Sequence, residues 1–301
     1  MKTYSIFQVD SFTKSKFCGN PAGVVLNADG LSEEQMQQIA RELNNSETAF
    51  IFSPTSANYD VEVRFFTPTK EVSICGHATI AAHYVRALKT GKIGRVLQKT
   101  KAGILPVEIT PKDDDFSITM TQGTPQVEKK PLNAAIADRI LEALGIHSHD
   151  IREDCPLAIA TTGHSKVMIG IKDNALLNSL KPILESLSTL SAEIHCNGYY
   201  VFTLNFDAKP LVRGRMFAPA AGIAEDPVTG NANGALGAYL VHYRIAKQLE
   251  TKTNLSFEIL QGEAIKRLGG MRVNVEIQDE KPILVQIIGE AVVCFETEIC
   301  I

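Results

Sequence analysis

Two kinds of patterned stretch make up the chain. Runs in which apolar and polar residues alternate, or in which β-branched residues follow one another, occur at residues 4–9, 23–26, 48–52, 61–66, 107–109, 116–120, 166–171, 198–205, 272–277 and 282–295. Turn residues flank them, and the period of two predicts strands. Helical spacing is rarer. Residues 31–43 contain Ser32, a residue type that caps helix starts, and carry Met36, Ile39, Ala40 and Leu43 along one face. Residues 132–144 and 174–189 read as ordinary amphipathic helices. Residues 78–89 and 232–244 differ: they are rich in alanine and apolar nearly all round, which predicts buried helices whose small side chains let a sheet wrap closely. Strands outnumber helices and do not alternate strictly with them, so the expected class is α+β rather than a doubly wound sheet.

A weak internal repeat organises these elements. Residues 65–85 read FFTPTKEVSICGHATIAAHYV and residues 216–241 read MFAPAAGIAEDPVTGNANGALGAYLV. Each copy has a strand ending in Phe-x-Pro (Phe66-Thr67-Pro68 and Phe217-Ala218-Pro219), a loop reaching a glycine (Gly76 and Gly230), and then a small-residue helix. Asn20-Pro21-Ala22-Gly23 and Thr162-Gly163-His164-Ser165 form a fainter pair, each leading into a strand. A duplicated fold accounts for all of this. Two similar halves facing each other across a cleft are a favoured setting for a small-molecule site.

Composition narrows the function. With 301 residues, 45% of them hydrophobic, the chain has material for one large or two medium domains. The net charge of −4 and the absence of a basic stripe argue against nucleic-acid and anionic-membrane partners. The alternation in the first ten residues reads as a strand and not a signal peptide, and no run approaches the ~18 apolar residues of a spanning helix. The six cysteines are scattered without CxxC pairs, a pattern of free thiols in a reducing cytosol rather than of a disulfide framework or a zinc site. GxGxxG, GxxxxGK[ST], HExxH and GxSxG are all missing, so nicotinamide, nucleotide and zinc chemistry have no support and proton transfer by side chains is the default.

The candidate chemistry sits at the two loop-to-helix junctions and in one turn. Cys75-Gly76-His77 opens the first buried helix, and Asp226-Pro227-Val228-Thr229-Gly230-Asn231 opens the second. Unpaired N–H groups and partial positive charge at a helix start suit a carboxylate, and glycine lets it approach the backbone. The competing reading is a plain capping turn in which Thr79, Thr229 or Asn231 serves its own helix. Glu47 lies between a polar turn and the apolar run 48–52. Loss of solvation there raises a carboxylate's pKa toward the range a general acid/base needs, whereas a solvated turn glutamate is the plainer alternative. His77 suits donation to a substrate carbonyl or proton shuttling, and equally a helix cap. Asp226 suits pairing with His77 or substrate positioning, and equally turn formation before Pro227. Cys75, beside a helix start, is either an activated thiol or a small buried hydrophobe.

The segments VDSFTKSKFCGNPAGVV, ARELNNSETAF, RFFTPTKEVSICGHAT, TTGHSKVMI and GRMFAPAAGIAEDPVTGNANG occur in an order that resembles the phenazine-biosynthesis isomerase (PhzF-like) family nearly end to end, closest to one bacterial branch of it. The resemblance implies a diaminopimelate-epimerase-like fold of two similar domains, each a barrel-like mixed sheet around a central helix. It implies lobes of residues 1–118 plus 286–301 and 119–285, a homodimer, and no cofactor or metal. It places the family's catalytic glutamate on Glu47, its histidine on His77 and its aspartate on Asp226. Asn20 falls on a position lining the cleft, and Gly76, Thr229 and Gly230 fall on the substrate-holding loops. The implied protein is a cytoplasmic, cofactor-independent isomerase of a small carboxylate-bearing substrate. Diaminopimelate epimerase carries a cysteine at each junction; here the pair is Cys75 and Thr229, which disfavours a two-thiol epimerase. A thiol-dependent epimerase or racemase built on Cys75, and a non-catalytic small-acid binder, are the alternatives.

Overall fold

In the computed structural model, which describes residues 1–301, both alanine-rich segments are buried helices, and each is the centre of its own compact unit. The first unit comprises Met1–Thr121 and Ile288–Ile301, the second Gln122–Ile287.

In the first unit, β1 (Thr3–Ser11) runs antiparallel to β2 (Asn20–Val25). Helix α1 (Glu33–Leu43) then leads to β3 (Thr48–Phe52), parallel to β2 and antiparallel to β4 (Val61–Phe66). After the short β5 (Glu71–Val72) comes the buried helix α2 (Gly76–Thr90). β6 (Gly94–Thr100) pairs parallel with β4, and β7 (Gly103–Lys112) and β8 (Asp115–Thr121) follow antiparallel. The second unit holds β9 (Gln126–Val127), α3 (Ala134–Leu144), β10 (Ala158–Thr161), β11 (Lys166–Gly170), α4 (Asn174–Ser179), α5 (Leu184–Glu193), β12 (Tyr199–Leu204), β13 (Val212–Ala218), β14 (Ile223–Asp226), the buried helix α6 (Gly230–His242), β15 (Asn254–Gln261) and β16 (Gly269–Gln278). β17 (Lys281–Gly289) leads out of it, and β18 (Ala291–Cys300) pairs antiparallel with β1.

The duplication is visible in strand order. β1-β2-β3-β4-β6-β7 and β10-β11-β12-β13-β15-β16 share one sequence of pairings: antiparallel, parallel, antiparallel, parallel, antiparallel. In each unit the central helix enters after the fourth strand of that series. Helix α2 packs on β1, β2, β3, β7, β8 and β18; α6 packs on β9, β10, β11, β15 and β16. The class is α+β, with a central helix wrapped by mixed strands in both units. Small residues make the wrapping close. A Cβ on Gly237 of α6 would lie 2.7 Å from Val275 Cγ2 and 2.9 Å from Val273 Cγ1 on β16. Outside the strands, Met36, Ile39 and Ala40 of α1 close over Phe50 and Phe66, while α3 and α5 cover Val167, Ile169, Tyr199 and Val201. No helix is long and apolar enough to cross a membrane.

Helix α1 starts as the sequence requires. Ser32 Oγ accepts from Gln35 N and Gln35 Oε1 accepts from Ser32 N, a reciprocal capping box. Two expected elements divide. Residues 174–189 form α4 and α5 rather than one helix, because Pro182 lacks an N–H and forces the residue before it out of helical geometry. Residues 282–295 belong to two strands, β17 and β18, which part at Glu290. β6 was not expected because its inward positions include Gln98 and Thr100, both buried, so no apolar period marks it. Gln98 is there for His83 of α2, whose Nε2 lies 2.9 Å from Gln98 Oε1. Complete burial pushes the His83 imidazole down to about 4.

Two tests follow from this packing. Gly237→Ala should lose about 1–3 kcal/mol of stability in urea unfolding, since overpacking against stiff valines outweighs alanine's better helix propensity of roughly 0.5–1 kcal/mol; an unchanged or raised midpoint would contradict close wrapping. His83 is neutral when folded and protonates near pH 6.5 when unfolded, so the unfolded state binds the extra proton between those values. Stability should therefore be insensitive to this group above pH 6.5 and fall as pH drops toward 4, by about 1.4 kcal/mol per pH unit. His83→Gln should flatten that part of the curve, and an equal slope in the variant would assign it elsewhere.

Candidate active site

The first junction is assembled by three elements of the first unit. α1 ends at Asn44 in the left-handed conformation (φ 51°), which turns the chain into Asn45-Ser46-Glu47. That turn is pinned twice. Asn45 and Gln8 of β1 exchange side-chain hydrogen bonds at 2.8 and 2.9 Å, and Glu47 O accepts from Gly23 N at 3.2 Å. Asn20, buried at the start of β2, sits opposite Ser11, and Ser11 Oγ donates to His77 O at 2.7 Å. The turn preceding Asn20 depends on Gly19, with φ +60° and no room for a Cβ, which would lie 2.2 Å from Ser11 O.

Glu47, His77 and Cys75 meet at the start of α2. His77 Nε2 lies 3.3 Å from Glu47 Oε2 and 3.2 Å from Ser46 Oγ, and its Nδ1 lies 3.4 Å from Cys75 Sγ. The Glu47 side chain is 18% exposed and that of His77 9%, so neither is a solvated surface group. A neutral imidazole with its proton on Nε2 satisfies both sides at once, donating to the carboxylate and accepting from the thiol. Carboxylate, imidazole and thiol are donor types that bind a thiophilic divalent ion, and the three ligand atoms lie within 4.8 Å of one another. They are equally the components of an acid/base pair. The plain capping reading fails at this junction. Cys75 occupies the N-cap without a side-chain cap bond, the first turn has no acidic residue, and Thr79 Oγ1 donates to Cys75 O instead. A Cβ on Gly76 would meet nothing within 4 Å, so the first turn opens onto free space.

The second junction is built differently. Asp226 ends β14 opposite Met216, and its Oδ2 accepts a short hydrogen bond from the Thr229 hydroxyl. Gln261 of β15 grips both ends of the loop. Its Nε2 donates to Asp226 O (2.8 Å) and Thr229 Oγ1 (3.1 Å), and its Oε1 accepts from Thr229 N (3.2 Å) and Asn233 Nδ2 (2.9 Å). Asn233 in turn accepts from the Tyr200 hydroxyl. Glu225 is clamped by both arms of Arg215 at 2.9 and 2.7 Å, and Arg215 also donates to Leu177 O and Leu180 O. Thr229, the N-cap, makes no side-chain cap bond to the α6 backbone, and Gly230 begins that helix fully buried.

Glu47, His77, Gly76 and Asn20 thus belong to the first unit's junction, and Asp226, Thr229 and Gly230 to the second's. Ser46, Gln261, Asn233, Tyr200 and Arg215 were not among the expected residues. Asn233 carried a readable signal, being one of the few amides in an otherwise apolar helix; Gln261 and Arg215 did not, since each sits in a strand as an ordinary polar residue.

The fold is a duplicated α+β scaffold, and its first unit sets a partly buried carboxylate 3.3 Å from an imidazole at a helix start. Residues 9–297 match the family model described as Phenazine biosynthesis-like protein, and the chain belongs to that family. It is 54% identical to an uncharacterised isomerase of Clostridium acetobutylicum, over 99% of each chain. It is 48% identical to the uncharacterised isomerase YddE of Salmonella typhimurium, over 97% of each. At 29% identity and 93% coverage, with 94% of the relative matched, stands the trans-2,3-dihydro-3-hydroxyanthranilate isomerase of Pseudomonas aeruginosa. Among solved structures, the phenazine biosynthesis protein of the PhzF family from Bacillus anthracis superposes with a TM-score of 0.89 at 33% identity, over 100% of both chains. The chain is an isomerase of this family.

Proposed function

We propose that this isomerase moves a proton on a small carboxylate-bearing substrate without a cofactor, with Glu47 as the proton carrier. The observation that carries the reading is the partly buried Glu47–His77 contact of 3.3 Å at the start of α2. A Glu47 oxygen takes the proton from one carbon, the C–H electron pair moves into the adjacent unsaturation, and the proton is returned at another carbon. His77 orients the carboxylate and holds its hydrogen bond through the transfer. Asp226 is the second polar group acting on the substrate. Asn20, Gly76, Thr229 and Gly230 bind it, the two glycines through helix-start backbone suited to an anion. The ring carboxylate named for the Pseudomonas aeruginosa relative is of the proposed substrate class. A cytoplasmic setting, a biosynthetic role and a homodimer complete the proposal; six free cysteines support the first of these.

A thiol-based reading has one observation in its favour, the 3.4 Å contact of Cys75 Sγ with His77 Nδ1. Against it, Thr229 stands at the second junction, where an epimerase of the two-thiol kind needs its other cysteine.

The two readings separate on two variants. Small carboxylates, trans-2,3-dihydro-3-hydroxyanthranilate among them, are incubated with enzyme in deuterated water and read by mass gain. Glu47→Gln should lose about 10²–10⁴-fold of the exchange rate while keeping its fold; native exchange in this variant would end the glutamate reading. Cys75→Ser should leave exchange within a few-fold of native. Abolition by Cys75→Ser in a folded protein would transfer the chemistry to the thiol, and thermal stabilisation by carboxylates with no exchange at any pH would make the protein a binder.

A further inference from the structure

Lys166 has no part in the chemistry above, yet it is the most unusual charged residue of the second unit. It opens β11 and is 3% exposed. Lysine is seldom buried to that degree unless a carboxylate pairs with it, because an ammonium leaving water loses a large solvation energy. Here the only hydrogen bond of Nζ is to His164 O, at 3.2 Å, and no carboxylate comes within ion-pair distance. An ammonium has three N–H donors, so two are left without a protein acceptor.

Strand geometry says where the side chain lies. Val167, Ile169 and Ile171 belong to the outer cluster with Ile140, Leu144 and Leu187. Alternation therefore places Lys166 on the other face of β11, the face that packs on α6. The turn leading into it is tied to the first turn of that helix, where Thr162 Oγ1 donates to Asn231 O at 3.2 Å. The charged and titratable groups acting on the amine are Asp226, Cys196 and His164. Burial outweighs the attraction of the first two and brings the Lys166 amine down to about 8.

The duplicated topology shows what is particular about this position. Val167 N donates to Gly198 O at 2.9 Å as Gly23 N donates to Glu47 O at 3.2 Å, and Val167 pairs with Tyr199 as Gly23 pairs with Thr48. Gly198 is thus the counterpart of Glu47, and Lys166 the counterpart of Ala22. The second unit has no room for a side chain at the Glu47 position: a Cβ on Gly198 would lie 2.6 Å from both Phe217 O and Met216 Cε. Where the first unit presents an acid, the second presents an amine from the neighbouring strand.

We propose that Lys166 is the cation that receives the substrate's carboxylate, acting with the backbone N–H groups at the start of α6. This inference rests on the reading of the second junction as the carboxylate-holding element. A carboxylate supplies the acceptors that the two spare N–H groups lack, and the polarised helix start adds to the attraction.

The test is titration calorimetry with acetate, benzoate and anthranilate, and with benzamide and aniline as uncharged controls. Native protein should bind at least one of the carboxylates, with affinity falling at least 10-fold as pH rises through about 8 and the amine loses its proton. Lys166→Met, similar in length and apolar, should bind that carboxylate at least 10-fold more weakly at pH 7, show no fall through pH 8, and bind the uncharged controls as native protein does. Lys166→Arg should retain most of the affinity and shift the fall beyond pH 10. If Lys166→Met does not fold, the native pH profile together with Lys166→Arg decides. The proposal is overturned if native protein binds none of the three carboxylates, if Lys166→Met binds them with native affinity, or if affinity is flat through pH 8. Glu47→Gln separates this inference from the catalytic reading. It should bind carboxylates as native protein does while losing proton exchange, so either result can fail without the other.

Discussion

A helix without a polar face has to be enclosed, and this requirement shapes the rest of the protein. α2 buries every residue from His77 to Val85, and α6 all but Asn231 and His242, so strands must surround each of them. Glycine and alanine keep the strands near; at Gly237 even one methyl group is too much. Enclosure has a chemical consequence. The first N–H groups of a buried helix need partners, and in both units the residue at the N-cap declines the usual side-chain cap. Thr79 and Thr229 bond elsewhere, to Cys75 O and to Asp226. Two helix starts are thereby left suited to an anionic ligand.

The units share a plan and differ in what they bury. The first places an acid, an imidazole and a thiol in mutual contact, with Ser11, Gln8 and Asn45 fixing the backbone beneath them. The second devotes Gln261, Asn233, Tyr200 and Arg215 to holding the Asp226–Thr229 loop. Buried polar groups are tolerated when their bonds are satisfied, and each of these has its partner. Lys166 is the exception, a charge whose bonding is incomplete within its own unit, and its counterpart in the first unit is an alanine. Duplication supplied the same frame twice, and each unit put its charge at a position where the other has a small residue: Glu47 against Gly198, and Lys166 against Ala22.

Membership of the phenazine biosynthesis-like family, with relatives named isomerases, sets the class of reaction. Cys75 facing His77, with Thr229 at the matching place, leaves a single thiol beside a glutamate. The proposed proton movement by the Glu47 carboxylate needs no second thiol.

Periodicity alone made most of the architecture legible. The small-residue helices, the capping of α1 by Ser32, the Phe-x-Pro repeat and the α+β class all depend on local spacing, and local spacing is a property of the chain itself. Glu47, His77 and Asp226 stood out through motifs around them. What could not be read was anything set by partners distant along the chain. β6 escaped notice because Gln98 answers a buried histidine fifteen positions earlier. Gln261 gained its role only when β15 came beside the α6 start. Lys166 read as the first residue of a strand like any other. Its burial, its missing acceptors and its equivalence to Ala22 exist only once β11 lies against α6, because desolvation and hydrogen-bond satisfaction depend on what surrounds a side chain, and sequence order does not say what that is.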